Sequence, residues 1–575
     1  MKIKHLFGLA VIAAMTASCS SNEDLGTAGP GTGTNEAGVG YATFTINLPS
    51  VGGTRAADAG GAEMDEGTAK EYAVKSATAL IFQKYGSDEG SYKFVESVTL
   101  PIDGWTDDPE DGITTTSKKL TAKLTNVDTK NTYAVLVLLN NKTASGVKIT
   151  LPSVGQSYNE WNNNAQLPTV TDLAAENDFY MANAPLVDAS PTTLVTIDKD
   201  NIYPTKEKAE AGTSAATVYV ERGVAKMSVT APGTKKVTDK ATNTETNSTV
   251  EFSNWALDIT NKKTYAVHNI DGLSTDFPDI WTTARFTGIN KRVYWGKDPN
   301  YKNDDLKLKD KDADREAEFN FIDATSKIDK DFGETNPVYC LENTFNLANM
   351  YQGQTTRVIF KAKYIPKNDT GADLADTDGT FYTIGNMTTI LKEADLETAV
   401  NAVANPVLPT GYTIDYTNFK TKEGSHVITL ADIKDASGVV LDGAATYGPS
   451  SKTGDEIVAD INAKLGLKAG RPEEMVGINT YLEGATYYIA RVKHFGSLTS
   501  WNSGESYGTK NKEYLGRYGM LRNNWYELQV GNVYGPGYPG VPPVDPTLPD
   551  DENEKYLSVS VKILSWAKRS DTVDL

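Results

Sequence analysis

The C-terminal segment constrains this chain more than any other stretch, because it is an isolated apolar strand at the end of a stiff linker. Apolar and polar residues alternate over residues 557–563, which is the period of a β-strand with one apolar face. Residues 535–549 contain six prolines, which keep the linker extended and out of helices and central strands. A single strand is not stable alone, so this one docks on its own domain or on another molecule. Its apolar residues are Leu557, Val559, Val561 and Ile563.

A second strand of the same kind lies near the other end of the chain, at residues 41–51. It is followed by a polar stretch reaching to about residue 70, in which Arg55 is the one basic residue before Lys70. Such segments are preferred sites of proteolysis. If a protease removed this strand, its groove would be open to the tail strand of a neighbouring molecule, which is polymerisation by strand addition. The apolar face of this displaced strand consists of Ala42, Phe44, Ile46 and Leu48.

The N-terminus has the features of an export signal. Lys2 and Lys4 precede an apolar run over residues 6–14, which is too short to remain as a membrane-spanning helix. The small residues before Cys19 resemble a bacterial lipobox, so we expect residues 1–19 to be a lipoprotein signal peptide with lipidation at Cys19. The other cysteine, Cys340, lies in a strand-like run and is expected to pack as a small buried hydrophobe.

Chain length and net charge limit the classes of function that this protein can have. The chain has 575 residues, 39% of them hydrophobic, which is enough for more than one packed domain. Its formal net charge of −19 argues against nucleic acid and anionic membrane surfaces as partners.

Strand signals dominate the middle of the chain. Short alternating segments separated by Gly, Asn, Asp and Thr clusters predict antiparallel β-sandwiches. The predicted strands include a long one over residues 216–229 and a short one over residues 264–268, and helices are predicted at residues 388–403 and 453–465. A change of composition near residue 271 suggests a boundary there. The predicted organisation is a signal peptide (1–19), a propeptide carrying the first strand (20–55), two β-sandwich domains (56–270 and 271–535), a proline-rich linker (536–554) and a donor strand (555–575).

Motifs that could carry catalysis or a metal are weak. The segment around Ser506 matches a nucleophile elbow, but every histidine precedes it, whereas that fold needs a later one. Alternating carboxylates at residues 310–314 lack the glycine and glutamate of a calcium loop, and those at residues 373–378 are similarly interpreted as a charged loop. We therefore expect no enzyme activity, no metal and no cofactor.

An aromatic-rich stretch leaves a binding function open. It could bind a glycan or a host protein, although packing within the second domain is the simpler interpretation. Its members are Trp501, Tyr507, Tyr514, Tyr518 and Trp525.

Several short motifs occur together along the chain, each of them weak alone. They are the lipobox Cys19, the Thr-Arg55-Ala junction, residues 220–226, 339–344, 356–358, 481–484, 487–488, 494–496 and 522–526, and the ending 559–566 with 573–575. Taken together and in order, these motifs resemble the fimbrilins of Bacteroidales type V pili, most closely their stalk subunits, and the likeness spans essentially the whole chain.

The resemblance implies a fold, a location and a route of assembly. It implies two transthyretin-like sandwiches, export to the outer membrane as a lipoprotein, and cleavage between Arg55 and Ala56 by an arginine-specific protease. The subunit would then join a homopolymer at the cell surface, with accessory anchor and tip subunits, and support adhesion. Two alternatives stay open: an anchor or tip accessory subunit, and a monomeric glycan-binding surface lipoprotein.

Overall fold

The protein is built mainly of β-strands. The computed structural model describes residues 32–49, 67–103, 105, 117–128, 130–187, 190–282, 286–287, 292–302, 315–323, 326–448, 451–472, 475–495, 514–544, 546 and 548, and the backbone of 557–565. Strands account for 37% of the chain and helices for 16%. This confirms the predicted all-β class with small helical elements.

The strands are numbered in chain order. They are β1 (Gly40–Asn47), β2 (Ala77–Gln83), β3 (Lys93–Leu100), β4 (Ser117–Leu124), β5 (Tyr133–Leu139), β6 (Ala174–Ala175), β7 (Asp178–Phe179), β8 (Met181–Asn183), β9 (Leu186–Val187), β10 (Pro191–Thr192), β11 (Val195–Thr196), β12 (Ile202–Tyr203), β13 (Ala216–Arg222), β14 (Ala225–Val229), β15 (Thr234–Asp239), β16 (Thr244–Asp258), β17 (Thr260–Asn261), β18 (Phe319–Asn320), β19 (Val338–Cys340), β20 (Arg357–Ile365), β21 (Phe381–Ile384), β22 (Tyr412–Ile414), β23 (Gly424–His426), β24 (Ile433–Asp435), β25 (Thr446–Tyr447), β26 (Lys452–Thr453), β27 (Ile478–Tyr481), β28 (Ala485–Arg491), β29 (Asn524–Val533) and β30 (Leu557–Ser565).

The helices are short. They are α1 (Ala69–Tyr72), α2 (Tyr158–Asn162), α3 (Val170–Leu173), α4 (Lys206–Ala211), α5 (Leu273–Asp276), α6 (Glu393–Ala404), α7 (Thr417–Thr421) and α8 (Gly454–Lys464). Single 3₁₀ turns occur at Glu89–Ser91, Lys199–Asn201, Ile280–Thr282, Leu347–Asn349, Leu430–Asp432 and Leu482–Gly484.

Two large sheets dominate the architecture. The first has the order β12-β1-β13-β8-β5-β2-β3, with β4 paired to β1 and β11 paired to β5. The second has the order β19-β14-β29-β15-β16-β20-β28, with β30 paired to β29. In each sheet an early strand lies parallel to a late one: β1 to β13, and β14 to β29.

Each sheet has its own apolar core. The first core contains Phe44, Phe82 and Trp161, and the second contains Trp255, Phe360 and Tyr526, all of them buried. A third core lies between β20 and β28 in the chain, where α6 and α8 pack near the small sheet β21-β27-β23. This third unit is the helical insertion that the sequence predicts for the second domain.

Most predicted strands lie within a few residues of observed ones. The predicted helix at 453–465 is α8, and Thr453 caps it: its side chain accepts from the Glu456 amide while Glu456 accepts from the Thr453 amide. Such a reciprocal cap satisfies two amides that the helix leaves unpaired.

Two strand predictions are wrong. Residues 216–229 form two strands rather than one, because the chain turns at Gly223 and passes from the first sheet to the second. A Cβ added at Gly223 would lie 2.7 Å from the Tyr180 ring, so a glycine suits this crossing. Residues 264–268 contain an isolated bridge at Thr264 and no strand. The change of sheet thus precedes the predicted boundary near 270, and the division into two domains stays a prediction.

Candidate functional site

The first strand, β1, is buried in the interior of the first sheet. Ala42, Phe44 and Ile46 are completely buried, and Leu48 is 4% exposed. The alternation in the sequence therefore identified the face that enters the first core. At about 1.5–3 kcal/mol for each large apolar side chain, this face contributes several kcal/mol to the stability of the sheet.

Both edges of β1 carry backbone pairing. Antiparallel pairing with β4 runs along the whole strand, from Gly40 opposite Leu124 to Asn47 opposite Ser117. On the other edge, β1 runs parallel to β13 over its second half and meets β12 over its first half. Among the residues that the structure describes, β4 has no other strand partner. Loss of β1 would therefore leave a groove between β4 and β13.

The other face of β1, which carries Thr43 and Thr45, also makes defined contacts. Thr43 is buried beside α4, and its hydroxyl donates to the Ala209 carbonyl at 2.8 Å. The hydroxyl of Thr45 lies 2.6 Å from that of Ser214. Two hydroxyls at alternate positions are thus part of the fit between β1 and its surroundings.

The tail strand, β30, pairs with its own chain in this structure. It runs antiparallel to β29, with Ile563 opposite Tyr526, Val561 opposite Leu528 and Val559 opposite Val530. These three β29 residues belong to the second core. Of the two docking possibilities that the sequence leaves open, the single chain adopts the one on its own domain, and the donor role of β30 stays a prediction.

The proline-rich linker is docked on the second sheet. Tyr487 and Tyr538 exchange two backbone hydrogen bonds, of 2.9 and 2.7 Å. The hydroxyl of Tyr488 donates to the Gly535 carbonyl and that of Tyr481 to the Gly537 carbonyl, both at 2.9 Å. Spacing of prolines predicts an extended linker but says nothing about what it lies against, so this docking was missed.

A buried arginine holds the middle of the linker. Arg357 donates through Nε to Asp258 at 2.7 Å, and its other nitrogens donate to the carbonyls of Pro542 and Pro543 at 2.6 and 3.3 Å. The side chains of Arg357 and Asp258 are almost completely buried. A single guanidinium therefore joins β16, β20 and the linker.

A second buried ionic cluster lies where the first sheet meets the second. The Glu71 carboxylate in α1 lies 2.7 Å from the ammonium of Lys226 in β14, and the Tyr339 hydroxyl donates to it at 2.6 Å. Arg222 in β13 donates to the Glu71 carbonyl at 2.8 Å. The chain just after the predicted cleavage site is thus anchored to both sheets at Glu71.

The charge of Glu71 should matter for stability. Burial by itself raises the pKa of this carboxyl, but Lys226 and Arg222 outweigh it and hold the pKa below its ordinary value. Stability from the ionised group is therefore fully present above the unfolded pKa of about 4.3 and is lost as the pH falls through the lower folded value.

We expect Glu71→Gln to lower the free energy of unfolding by about 3 kcal/mol at pH 7, because it removes the carboxylate that forms a buried ion pair with the Lys226 ammonium. The difference from the unsubstituted chain should shrink below about pH 4. Urea unfolding at several pH values measures both. As a control, Glu176→Gln removes the partner of Lys70 in an exposed pair and should change little; equal effects of the two substitutions would contradict the prediction.

Several predicted site residues lie outside the described residues. They are the lipidation residue Cys19, the cleavage residues Arg55 and Ala56, the elbow residue Ser506 and the aromatic residues Trp501 and Tyr507.

Two aromatic residues of the candidate binding stretch are buried. Tyr518 and Trp525 are each 5% exposed, and the Lys226 ammonium lies 3.7 Å from the centre of the Trp525 ring. These two side chains therefore pack inside the protein rather than lining a glycan surface.

Carboxylates of the acidic loop at residues 373–378 accept hydrogen bonds from nearby groups of the protein. Asp378 accepts from the amide and hydroxyl of Thr380, and Asp376 accepts from the amide of Glu393. Within the described ranges no group of three or more His, Cys, Asp or Glu side chains is arranged to hold a metal ion. No helix in those ranges has the length and apolarity needed to cross a bilayer.

Comparison with known proteins points to fimbriae. Residues 479–572 match the family model described as major fimbrial subunit protein type IV, fimbrillin, C-terminal. This match includes β28, β29 and β30, and it supports a structural, non-enzymatic protein. No curated protein matches the chain significantly in sequence.

Two solved structures are similar at low identity. One is a protein from Parabacteroides distasonis ATCC 8503 provisionally assigned to cell adhesion, with 10% identity, a TM-score of 0.38, and coverage of 92% of this chain and 98% of that chain. The other is the tip fimbrial protein Mfa3 from Porphyromonas gingivalis with a C-terminal truncation, with 11% identity, a TM-score of 0.30, and coverage of 92% and 100%.

Proposed function

We propose that this chain is the stalk subunit of a cell-surface fimbria. It is exported as a lipoprotein lipidated at Cys19, reaches the outer membrane, and is cleaved between Arg55 and Ala56 by an arginine-specific protease. Each cut subunit then accepts the tail strand of the next subunit, giving a homopolymer that joins anchor and tip subunits and supports adhesion. The fimbrillin match over residues 479–572 supports the class of protein.

One observation carries the proposal: a strand that completes the first core precedes the predicted cleavage site. The face of β1 is almost completely buried, and both of its edges are paired. After the predicted cleavage site, the chain is fixed at Glu71, whose carboxylate lies 2.7 Å from the Lys226 ammonium. A cut at Arg55 would therefore separate β1 from the rest of the chain without disturbing that anchor.

Cleavage changes the competition between strands. While β1 is covalently attached, its effective concentration at the groove is of the order of millimolar. Once the linkage is cut, a departing β1 is diluted into the medium, and a tail strand from a neighbour can take its place. The exchange also requires β30 to leave β29, so the pairing within one chain is the resting state of the donor.

We expect the protein taken from the cell surface to begin at Ala56 and to carry no lipid, because a stalk subunit must discard β1. N-terminal sequencing and intact mass measure this. We also expect Arg55→Lys to stay monomeric after treatment with an arginine-specific protease, whereas the unsubstituted chain assembles into fibres visible by electron microscopy.

The controls separate the competing functions. Lys70→Ala alters the next basic residue and should assemble normally. A start at lipidated Cys19 would indicate an anchor subunit or a monomeric glycan-binding lipoprotein. Deletion of residues 555–575 should abolish assembly by a stalk subunit, whereas a glycan-binding monomer would keep its binding. Equal assembly of the cut chain and an uncut Arg55→Ala chain would contradict the requirement for cleavage.

A further inference from the structure

The tail strand repeats the chemistry of β1 position by position. Residues 41–48 read Tyr-Ala-Thr-Phe-Thr-Ile-Asn-Leu, and residues 556–563 read Tyr-Leu-Ser-Val-Ser-Val-Lys-Ile. Aligned in the same direction without a gap, tyrosine meets tyrosine, apolar residues meet apolar residues, and serines meet threonines. Apolar alternation alone allows many registers, so the two hydroxyls are the informative part of this match.

The hydroxyls matter because the groove has partners for them. In this alignment Ser558 takes the place of Thr43, whose hydroxyl donates to the Ala209 carbonyl in α4. Ser560 takes the place of Thr45, whose hydroxyl lies 2.6 Å from that of Ser214. Serine retains the hydroxyl of threonine, so both contacts can be made again by the incoming strand.

Other registers in the same direction conflict with burial. Moving the tail so that Ser560 replaces Thr43 places Ser565 at the Leu48 position, which is 4% exposed. Moving it the other way places Lys555 at Ala42, which is completely buried. An uncompensated buried charge or hydroxyl is costly, so neither shift suits the groove.

The reversed direction is also unfavourable. The hydroxyls can still be matched if Ser560 replaces Thr43 and Ser558 replaces Thr45. That arrangement places Lys562 at Tyr41 and Lys555 at Leu48, and both of those positions are buried. In the direction of β1, Lys562 takes the place of Asn47, which is partly exposed, and Lys555 aligns with Gly40, before the replaced residues 42–48.

We propose that the tail strand enters the groove of the next subunit in the direction of β1, with residues 557–563 replacing residues 42–48. This rests on the proposed strand exchange and specifies its geometry. The donor then runs antiparallel to β4 and parallel to β13, with Ser558 and Ser560 facing α4 and Ser214. Leu557 is larger than Ala42 and Val559 is smaller than Phe44, so the core repacks between these adjacent positions on one face.

Disulfide cross-linking between subunits tests the register. Thr45 lies opposite Lys119 in β4, and Thr43 lies opposite Thr121. Directly opposed residues of antiparallel strands have Cα atoms about 4.5–5.5 Å apart, within the range of a disulfide. The background is low, because the cut chain retains only Cys340, which is buried, and burial raises the pKa of its thiol to about 12.

We expect fibres of cut Ser560→Cys/Lys119→Cys subunits, and of Ser558→Cys/Thr121→Cys subunits, to give ladders of covalent multimers on non-reducing gels. The exchanged pairs, Ser560→Cys/Thr121→Cys and Ser558→Cys/Lys119→Cys, should give no more than the single-cysteine variants. The uncut Arg55→Lys forms should not cross-link, because β1 still lies beside β4.

The outcomes are distinct. Cross-linking by the exchanged pairs would show a reversed or shifted strand and overturn the proposal. Fibres that form normally but cross-link with none of the four pairs would overturn it as well. If the cut subunits with an intact tail form no fibres by electron microscopy, the proposed strand exchange itself fails, and the register fails with it.

Discussion

Phe44→Ala should lower the free energy of unfolding of the uncut chain by about 3–5 kcal/mol, because the ring is completely buried in the first core. Phe44 lies opposite Leu120 in β4 and Ala216 in β13. Removing its ring leaves a cavity in the first core, and the backbone hydrogen bonds that hold β1 between β4 and β13 prevent the strand from moving in to fill it. Urea unfolding of the purified precursor measures the loss.

Phe44→Ala also tests whether β1 is replaced after cleavage. After the cut and the loss of β1, the variant and the unsubstituted chain are the same molecule, and their fibres should be identical. In an uncut Arg55→Ala background, Phe44→Ala should allow some assembly, because the occupant of the groove binds less tightly. Glu36→Ala changes an exposed residue just before β1 and should alter neither stability nor assembly.

Two results would contradict this interpretation. A loss of less than about 1 kcal/mol would mean that β1 contributes little to the core in solution. Uncut Phe44→Ala chains that resist assembly as firmly as Arg55→Ala alone would mean that weakening the occupant does not open the groove.

The sequence was most informative where periodicity determines burial. Alternation over residues 41–48 identified the apolar face of β1, because successive side chains of a strand point to opposite sides of its sheet. The cap at Thr453 was predictable for a similar reason, since it depends on residues only three positions apart. Local rules of this kind do not depend on the rest of the fold.

What the sequence could not supply were long-range partners. Residues 216–229 were predicted as one strand although Glu221, Arg222 and Gly223 interrupt their alternation. That break is a local signal, but nothing local shows that the chain passes to a different sheet there. The Glu71–Lys226 pair and the Arg357–Asp258 pair each join residues far apart in the chain. Charged residues are common in the sequence, and only packing determines which few become buried together.

The proline-rich linker also shows that the sequence predicts local backbone shape but not long-range contacts. Its prolines predict an extended segment, because proline restricts the backbone locally. Whether that segment is free or docked depends on the tyrosines of β27 and β28 and on Arg357. The distinction matters for assembly, because a docked linker fixes where the tail strand begins its path.

Arg357→Met should strongly destabilise the second sheet. It leaves the Asp258 carboxylate buried without its cation, and breaking a buried ion pair from one side costs about 3–5 kcal/mol. It also removes the donors to the Pro542 and Pro543 carbonyls. We therefore expect a lower free energy of unfolding, measured with urea, and faster cleavage near these prolines by a broad-specificity protease, with the cut sites read by mass spectrometry.

The double variant Asp258→Asn/Arg357→Met separates the two effects. Neutralising Asp258 removes the uncompensated charge, so much of the lost stability should return. The linker still lacks its donors, so its faster proteolysis should persist. Lys361→Met, on the same strand at an exposed position, controls for the loss of a cation from β20.

Release of the linker should also affect assembly, because Arg357 limits the length of chain that can leave the second sheet together with the tail strand. The Gln352 amide donates to the Leu548 carbonyl at 2.9 Å, so the docked linker is held as far as Leu548, and the arm that carries the tail strand starts after it. Releasing the Pro542 region should lengthen that arm, and a longer flexible connection lowers the effective concentration of the tail at its groove. If the double variant regains its stability and its linker resists proteolysis as in the unsubstituted chain, then Arg357 stabilises only the core and does not hold the linker.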